Sequence, residues 1–222
     1  MTKPKTLENM FKNKENLKHA LTHKSWVNEH SKVRTSNERL EFLGDAVLEF
    51  IVSKELYNKF PNKEEGYLTA LRANLVNTVN LAFVAKNLGL GKFLLLSKGE
   101  EDTGGRTNQS LLANTVEAII GALFMDNGIS AAEDFITENI LVSLDEKVSQ
   151  PLKDPKSTLQ EIIQAKNLAA PIYSVVKEDG PDHSKIFQVE VLIGGKRRAL
   201  GVGKSKNDAE QAAAKKALSK YL

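Results

Sequence analysis

"NERLEFLGDAVLEF", residues 37–50, combines two features that normally exclude each other. Leu40, Phe42, Leu43, Ala46, Val47, Leu48 and Phe50 read as a buried helix. Glu38, Glu41 and Asp45 fall in the same turns at i, i+3 and i+7, so they share one helical face. Like charges so placed repel, and burying a lone carboxylate is costly. A solvated polar stripe is the usual explanation. The other is a bound divalent cation that neutralises the cluster. Apolar neighbours surround the acids on nearly every side and Arg39 is the nearest cation in sequence, which favours the cation.

A second segment repeats the theme. "SLLANTVEAIIGALFMDNG", residues 110–128, is almost wholly apolar, with Asn114, Thr115 and Glu117 as its polar interruptions. Asn114 and Glu117 are i, i+3, again on one face. One such pair suits a satisfied structural contact. Two apolar helices, each with acids or amides along one edge, suggest a site between them. Oxygen-only ligands point to Mg²⁺, with Mn²⁺ as a substitute, rather than zinc. Such an ion activates water and stabilises a leaving oxygen in phosphoryl chemistry.

The rest of the chain frames these helices. Its 222 residues suit one large or two small domains. No run of about 18 apolar residues is present, so no membrane span is expected. The N-terminus has no apolar signal core, and cysteine is absent, which excludes thiolate metal sites. A cytoplasmic protein without a small-molecule cofactor is the expectation. Residues 1–150 hold 18 Lys and Arg against 20 Asp and Glu, a net of −2. Residues 151–222 hold 13 against 8, a net of +5, and this basic third suggests a polyanionic partner.

Periodicity gives helices near 7–27, 37–59, 64–88, 108–126 and 130–147, with little or no strand among them. Pro151 and Pro155 mark a linker, so the expected division is an all-α domain over 1–148, a linker over 149–156 and a small α+β domain over 157–222. The latter opens with a helix in "KSTLQEIIQAK", where Ser157 with Gln160, or Thr158 with Glu161, can form a capping box. "PIYSVVKE" and "IFQVEVLIGG" then alternate, with Phe187, Val189, Val191 and Ile193 on one face. A third short strand and a helix capped by Ser205 complete an α-β-β-β-α order.

"NERLEFLGDAVL" resembles the signature of ribonuclease III, the double-stranded-RNA endonuclease. "ALTHKSW" (20–26), "FPNKEEGYLTALRANLV" (60–76), "GGRTNQSLLANTVEAIIGALFMD" (104–126) and "DPKSTLQEIIQ" (154–164) agree with it in order along the chain. The C-terminal unit resembles that family's double-stranded-RNA-binding domain. The resemblance implies that Glu41, Asp45 and Glu117 are metal ligands and that Glu38 and Glu65 are further catalytic acids of the cleft. It implies a homodimer with Phe42 as a knob filling a socket on its partner, though ordinary core is the alternative for Phe42. It also implies staggered cuts that leave 5′-phosphate and 3′-hydroxyl ends, in the processing of rRNA and mRNA precursors.

Proteins read A-form RNA through its minor-groove hydroxyls and the flanking phosphates. In the C-terminal unit the resemblance assigns Gln160, Gln164 and His183 to minor grooves, and Lys204, Ser205 and Lys206, at a helix N-terminus, to phosphates. It places Arg106, in a Gly-rich loop, near the cut. Glu100, Glu101 and Asp102 read as a solvated acidic run. Lys24 reads equally as a helix end and as a phosphate contact.

One position departs from the family pattern: Asn114 stands where an aspartate is expected. It reads as a natural variant in which the remaining acids suffice, as an inactivating substitution, or as the mark of a double-stranded-RNA-binding dimer with weak or no catalysis. Five retained acids favour an enzyme. A helical phosphohydrolase of small molecules is a third class, and the C-terminal module argues against it.

Overall fold

Asn37 fixes where the signature helix begins. Its buried side-chain amide donates to the carbonyl of Ala20 (3.0 Å) and its backbone N–H donates to the carbonyl of Thr22 (2.8 Å). The computed structural model describes residues 7–30, 32, 35–149, 152, 154–181 and 184–220. The chain separates into two units, 1–152 and 153–222.

The first unit is helical. It comprises α1 (Lys14–Ala20), α2 (Lys24–Glu29), α3 (Glu38–Lys59), α4 (Glu65–Val76), α5 (Thr78–Asn87), α6 (Lys98–Asp102), α7 (Gln109–Asn127), α8 (Ile129–Asn139) and α9 (Leu144–Ser149), with short 3₁₀ turns between some of them. Extended pairing among its described residues is limited to one bridge, Thr22 with Leu95. Helix α7 is central, burying Leu112, Val116, Ile119, Ile120 and Leu123 against α3 and α5.

Three expected helices prove to be broken, each for a local reason. The 64–88 pattern divides at Asn77, whose extended backbone ends α4 and whose side chain accepts from the Asn80 N–H to cap α5. The 7–27 pattern splits because Asn13 caps α1 and His23 caps α2. The 130–147 pattern breaks after Asn139 into a 3₁₀ turn before α9. Conversely, "KGEED" forms α6, capped by Ser97.

The second unit has helix α10 (Pro155–Ala165), an antiparallel sheet in the order β1 (Ile172–Asp179), β2 (Ile186–Ile193), β3 (Lys196–Gly203), and helix α11 (Lys206–Leu218). Val191 and Ile193 point from β2 into a core with Leu159 and Ile163 of α10 and with Ala213, Ala214 and Ala217 of α11, and Val189 is buried as well. Helix α10 starts at Pro155, and its cap is Asp154 rather than Ser157 or Thr158. The Asp154 carboxylate accepts from the backbone N–H groups of Lys156 and Ser157 and from the Gln211 side chain (2.9 Å), which ties α10 to α11. Gly201 lets β3 lie directly against α11: a Cβ there would stand 2.0 Å from the Ala209 carbonyl oxygen.

Candidate active site

Helices α3 and α7 cross at two glycines. A Cβ on Gly44 would stand 1.7 Å from the Glu117 carbonyl oxygen, and one on Gly121 would stand 2.2 Å from that of Leu40. This backbone-to-backbone approach carries the acids of both helices to one edge. There Glu38, Glu41 and Asp45 of α3 and Asn114 and Glu117 of α7 line one open pocket of about 500 Å³, with Lys24 and Phe42.

The acids differ in environment. Glu38 and Asp45 are exposed, so the polar-stripe reading holds for them, whereas Glu41 and Glu117 are partly buried. Burial, then Asp45 and Glu41, pushes the Glu117 carboxyl up to about 7. Burial and neighbouring Glu38 also raise Glu41, against a hydrogen bond from Asn114. Glu38 moves the other way, held down by hydrogen bonds from the Ser36 hydroxyl (3.0 Å) and the Lys24 ammonium (3.3 Å).

The donor set is all oxygen, and Glu117 is raised partly by its fellow carboxylates, a repulsion that a hard cation would relieve. Among the described residues, no three His, Cys, Asp or Glu side chains converge tightly enough to enclose an ion in their present rotamers. Donor type and charge therefore fit Mg²⁺ or Mn²⁺ at Glu41, Asp45, Asn114 and Glu117, with side-chain rotation needed to close the shell.

Several expectations change. Lys24, not Arg39, is the pocket's cation: Arg39 is exposed outside it, and Lys24 arrives from α2. Phe42 lines the acidic pocket beside Glu41. Consecutive helical residues are about 100° apart, so it flanks the acid at the pocket rim. Nor is α3 buried along its whole apolar pattern. Val47 and Leu48 are core, but Phe42 (81%), Phe50 (60%) and Tyr57 (74%) are exposed.

Glu65 does not line its own chain's acidic pocket. It sits at the other end of α3, in a mostly apolar groove of about 360 Å³ with Phe50, Tyr57, Leu68 and Arg72, and accepts from the Thr69 hydroxyl (2.7 Å). Arg106 is pinned rather than loose. Its guanidinium pairs with Glu101 (2.7 Å) and donates to the carbonyls of Gly91 and Leu94, so Glu101 is a partner and not merely solvated.

In the second unit Gln160 and Gln164 are exposed on α10, four residues apart. Lys204, Ser205 and Lys206 stand exposed at the start of α11, where Ser205 spends its hydroxyl oxygen on the Asp208 N–H. Lys206 reaches Glu178 (3.3 Å) and lies over the Phe187 ring. His183 lies outside the described residues. Sequence reasoning left Lys24 open between a helix end and a phosphate contact without placing it in the pocket, and it missed Gly44 and Gly121. A glycine inside each of two apolar helices was the available signal for the close crossing.

A helical unit with an acid-lined pocket, followed by an α-β-β-β-α unit with exposed glutamines and lysines, defines a nuclease class built on duplex RNA. Comparison with known proteins agrees. The Ribonuclease-III-like family matches residues 13–144, and the double-stranded RNA binding motif matches residues 155–221. Ribonuclease 3 of a Geobacillus species is 47% identical over 95% of this chain and 86% of its own length. Ribonuclease 3 of Enterococcus faecalis is 48% identical over 91% and 88%. The nuclease domain of ribonuclease III from Campylobacter jejuni superposes with a TM-score of 0.57 at 43% identity, covering 63% of this chain and 97% of that one; it is described for flexibility in a region involved in dimer formation. The chain belongs to the ribonuclease III family of double-stranded-RNA endonucleases. No described helix is long and apolar enough to cross a membrane.

Proposed function

We propose that this chain is a cytoplasmic, homodimeric, Mg²⁺-dependent endonuclease that processes duplex regions of rRNA and mRNA precursors. The observation that carries the cleavage reading is the single pocket shared by Glu38, Glu41, Asp45, Asn114 and Glu117. A bound Mg²⁺ would supply Lewis acidity for phosphodiester hydrolysis there. Glu41, Asp45, Asn114 and Glu117 hold the ion. Without the ion, burial and the neighbouring Asp45 and Glu41 push the partly buried Glu117 carboxyl up to about 7, a repulsion that the bound ion would relieve. Hydrolysis leaves 5′-phosphate and 3′-hydroxyl ends, and paired sites leave short 3′ overhangs. In this reading 1–148 is the nuclease domain and 157–222 the body of the RNA-binding domain, whose first helix starts at Pro155, inside the 149–156 expected as linker. Gln160, Gln164, His183, Lys204, Ser205 and Lys206 engage the duplex, while Arg106 shapes the loop before α7.

The dimer reading rests on the exposed stripe of α3. Phe42, Ala46, Phe50, Ser53 and Tyr57 recur at helical spacing along its outer face. The groove around Phe50 and Tyr57 begins about 12 Å along the helix from Phe42, at about 1.5 Å per residue. Two copies related by a two-fold axis set α3 antiparallel to α3, and each Phe42 then enters the other's groove. The same pairing brings Glu65 of the partner subunit beside Glu38 and Asp45. Glu65 thus serves the neighbouring site, although it is remote from its own.

A long RNA duplex incubated with the protein tests the proposal. Shortening that requires Mg²⁺ or Mn²⁺ and stops with chelator is expected. A mobility shift without cutting at any metal concentration would reduce the chain to a binding protein.

A further inference from the structure

We infer that Lys24 binds a backbone phosphate of the RNA at the acidic pocket, a role that rests on the cleavage proposed above. The pocket presents four carboxylates, Glu38, Glu41, Asp45 and Glu117, and Lys24 is the one cation among its described lining residues. A phosphodiester approaching such a surface is repelled. A divalent ion between Glu41, Asp45 and Glu117 offsets two of those charges. The Glu38 end still needs a positive group, and Lys24 stands there, 3.3 Å from the Glu38 carboxylate.

The mounting suits a mobile phosphate ligand. The residues on either side of Lys24 are anchored. The His23 N–H donates to the Leu95 carbonyl (3.1 Å), and the Ser25 hydroxyl oxygen accepts from the Ser97 N–H (3.0 Å). The Lys24 backbone is therefore fixed, while its side chain is 63% exposed and its four-carbon stem is free to swing. Glu38 keeps a second donor, the Ser36 hydroxyl, so it is not left unpaired when Lys24 turns to RNA. As a mere surface ion pair the contact would contribute little to stability. A compact ammonium beside a metal-binding pocket is chemically a phosphate ligand.

The experiment compares full-length wild type, Lys24→Ala and Lys24→Arg on one duplex, in the presence and absence of Glu38→Gln. A drop in kcat/KM of about ten-fold or more is expected for Lys24→Ala, with most of the rate restored by Lys24→Arg and the melting temperature unchanged. Duplex binding is measured against salt in a Glu117→Gln background, where cutting is blocked. There Lys24→Ala should flatten the log–log salt slope by about one unit per site. An unchanged rate and slope would overturn the inference. So would an effect that disappears once Glu38→Gln is present, because Lys24 would then serve only as the counter-ion of Glu38. If wild type itself does not cut, the cleavage reading falls, and the salt slope still decides whether Lys24 meets phosphate.

Discussion

Gly44 lies against the backbone of Glu117 so closely that a methyl group on it would stand 1.7 Å from the Glu117 carbonyl oxygen. The contact is backbone to backbone, so no side chain can yield. Gly44→Ala must push α3 from α7, at a cost of about 3 kcal/mol or more, and it should abolish cleavage by parting Asp45 from Glu117. Gly66→Ala, which meets nothing within 4 Å, should be neutral or stabilising by up to about 1 kcal/mol. Denaturant unfolding of both variants measures the contrast.

Glu117→Gln should reduce cleavage by two orders of magnitude or more while duplex binding stays near wild type, since binding rests on the second unit. It also has a pH signature. Glu117 titrates near 7 in the folded protein and near 4.5 when unfolded, so its raised value favours folding only while the folded group holds its proton. Wild-type stability without metal should therefore fall as pH rises from about 4.5 to about 7. Glu117→Gln should melt higher than wild type at pH 8 in chelator and no higher at pH 4.5. Equal melting at both pH values would show that the carboxyl is not buried among like charges.

Asn114→Asp should raise cleavage, most clearly at low Mg²⁺, because it adds a charge where the ion binds. Asn114 now donates to Glu41, and Asp cannot. The metal-free variant should consequently melt lower than wild type, and added Mg²⁺ should reverse the order. A rate unchanged at every Mg²⁺ concentration would remove Asn114 from the metal.

Phe42→Glu should convert dimer to monomer in light scattering, because an exposed aromatic filling an apolar groove is worth a few kcal/mol at an interface. Tyr57→Glu should do the same from the groove side. A fully dimeric Phe42→Glu would place the interface elsewhere.

Asp154→Ala should cost about 1 kcal/mol in the second unit through the lost helix cap. Hydrogen bonds, the Ser157 hydroxyl first and the Gln211 amide after it, hold the Asp154 carboxyl down at about 2. A depressed acid stabilises above its unfolded value, so this contribution should be present above pH 4 and vanish as pH falls through about 2. Acid unfolding of wild type and variant should converge there.

Much of the site was legible in one dimension. The spacing of Glu38, Glu41 and Asp45 placed them on one face because a helix repeats every 3.6 residues, and Asn114 with Glu117 followed the same rule. The alternation at 187–193 gave β2 and its buried face for the equivalent reason. Helix ends were less legible. Asp154 and Asn77 each cap a helix through side-chain hydrogen bonds that compete with nearby alternatives, and composition alone does not rank them.

The sequence by itself determined which residues could hold a cation, since periodicity and side-chain chemistry are local. Only the tertiary structure decided what those residues meet. Lys24 lies fourteen positions before Glu38, with no periodic relation to it, and the turn held by Asn37 brings the two together. Glu65 belongs to the right segment but opens onto the far end of α3, because α4 packs back along that helix. Phe42 and Phe50 read as part of a buried helix, yet they face outward with Tyr57, because Val47, Leu48, Ile51 and Val52 already fill the face toward α7. Apolarity says that a side chain avoids water; the packing of its neighbours decides whether the core or a second copy of the chain covers it.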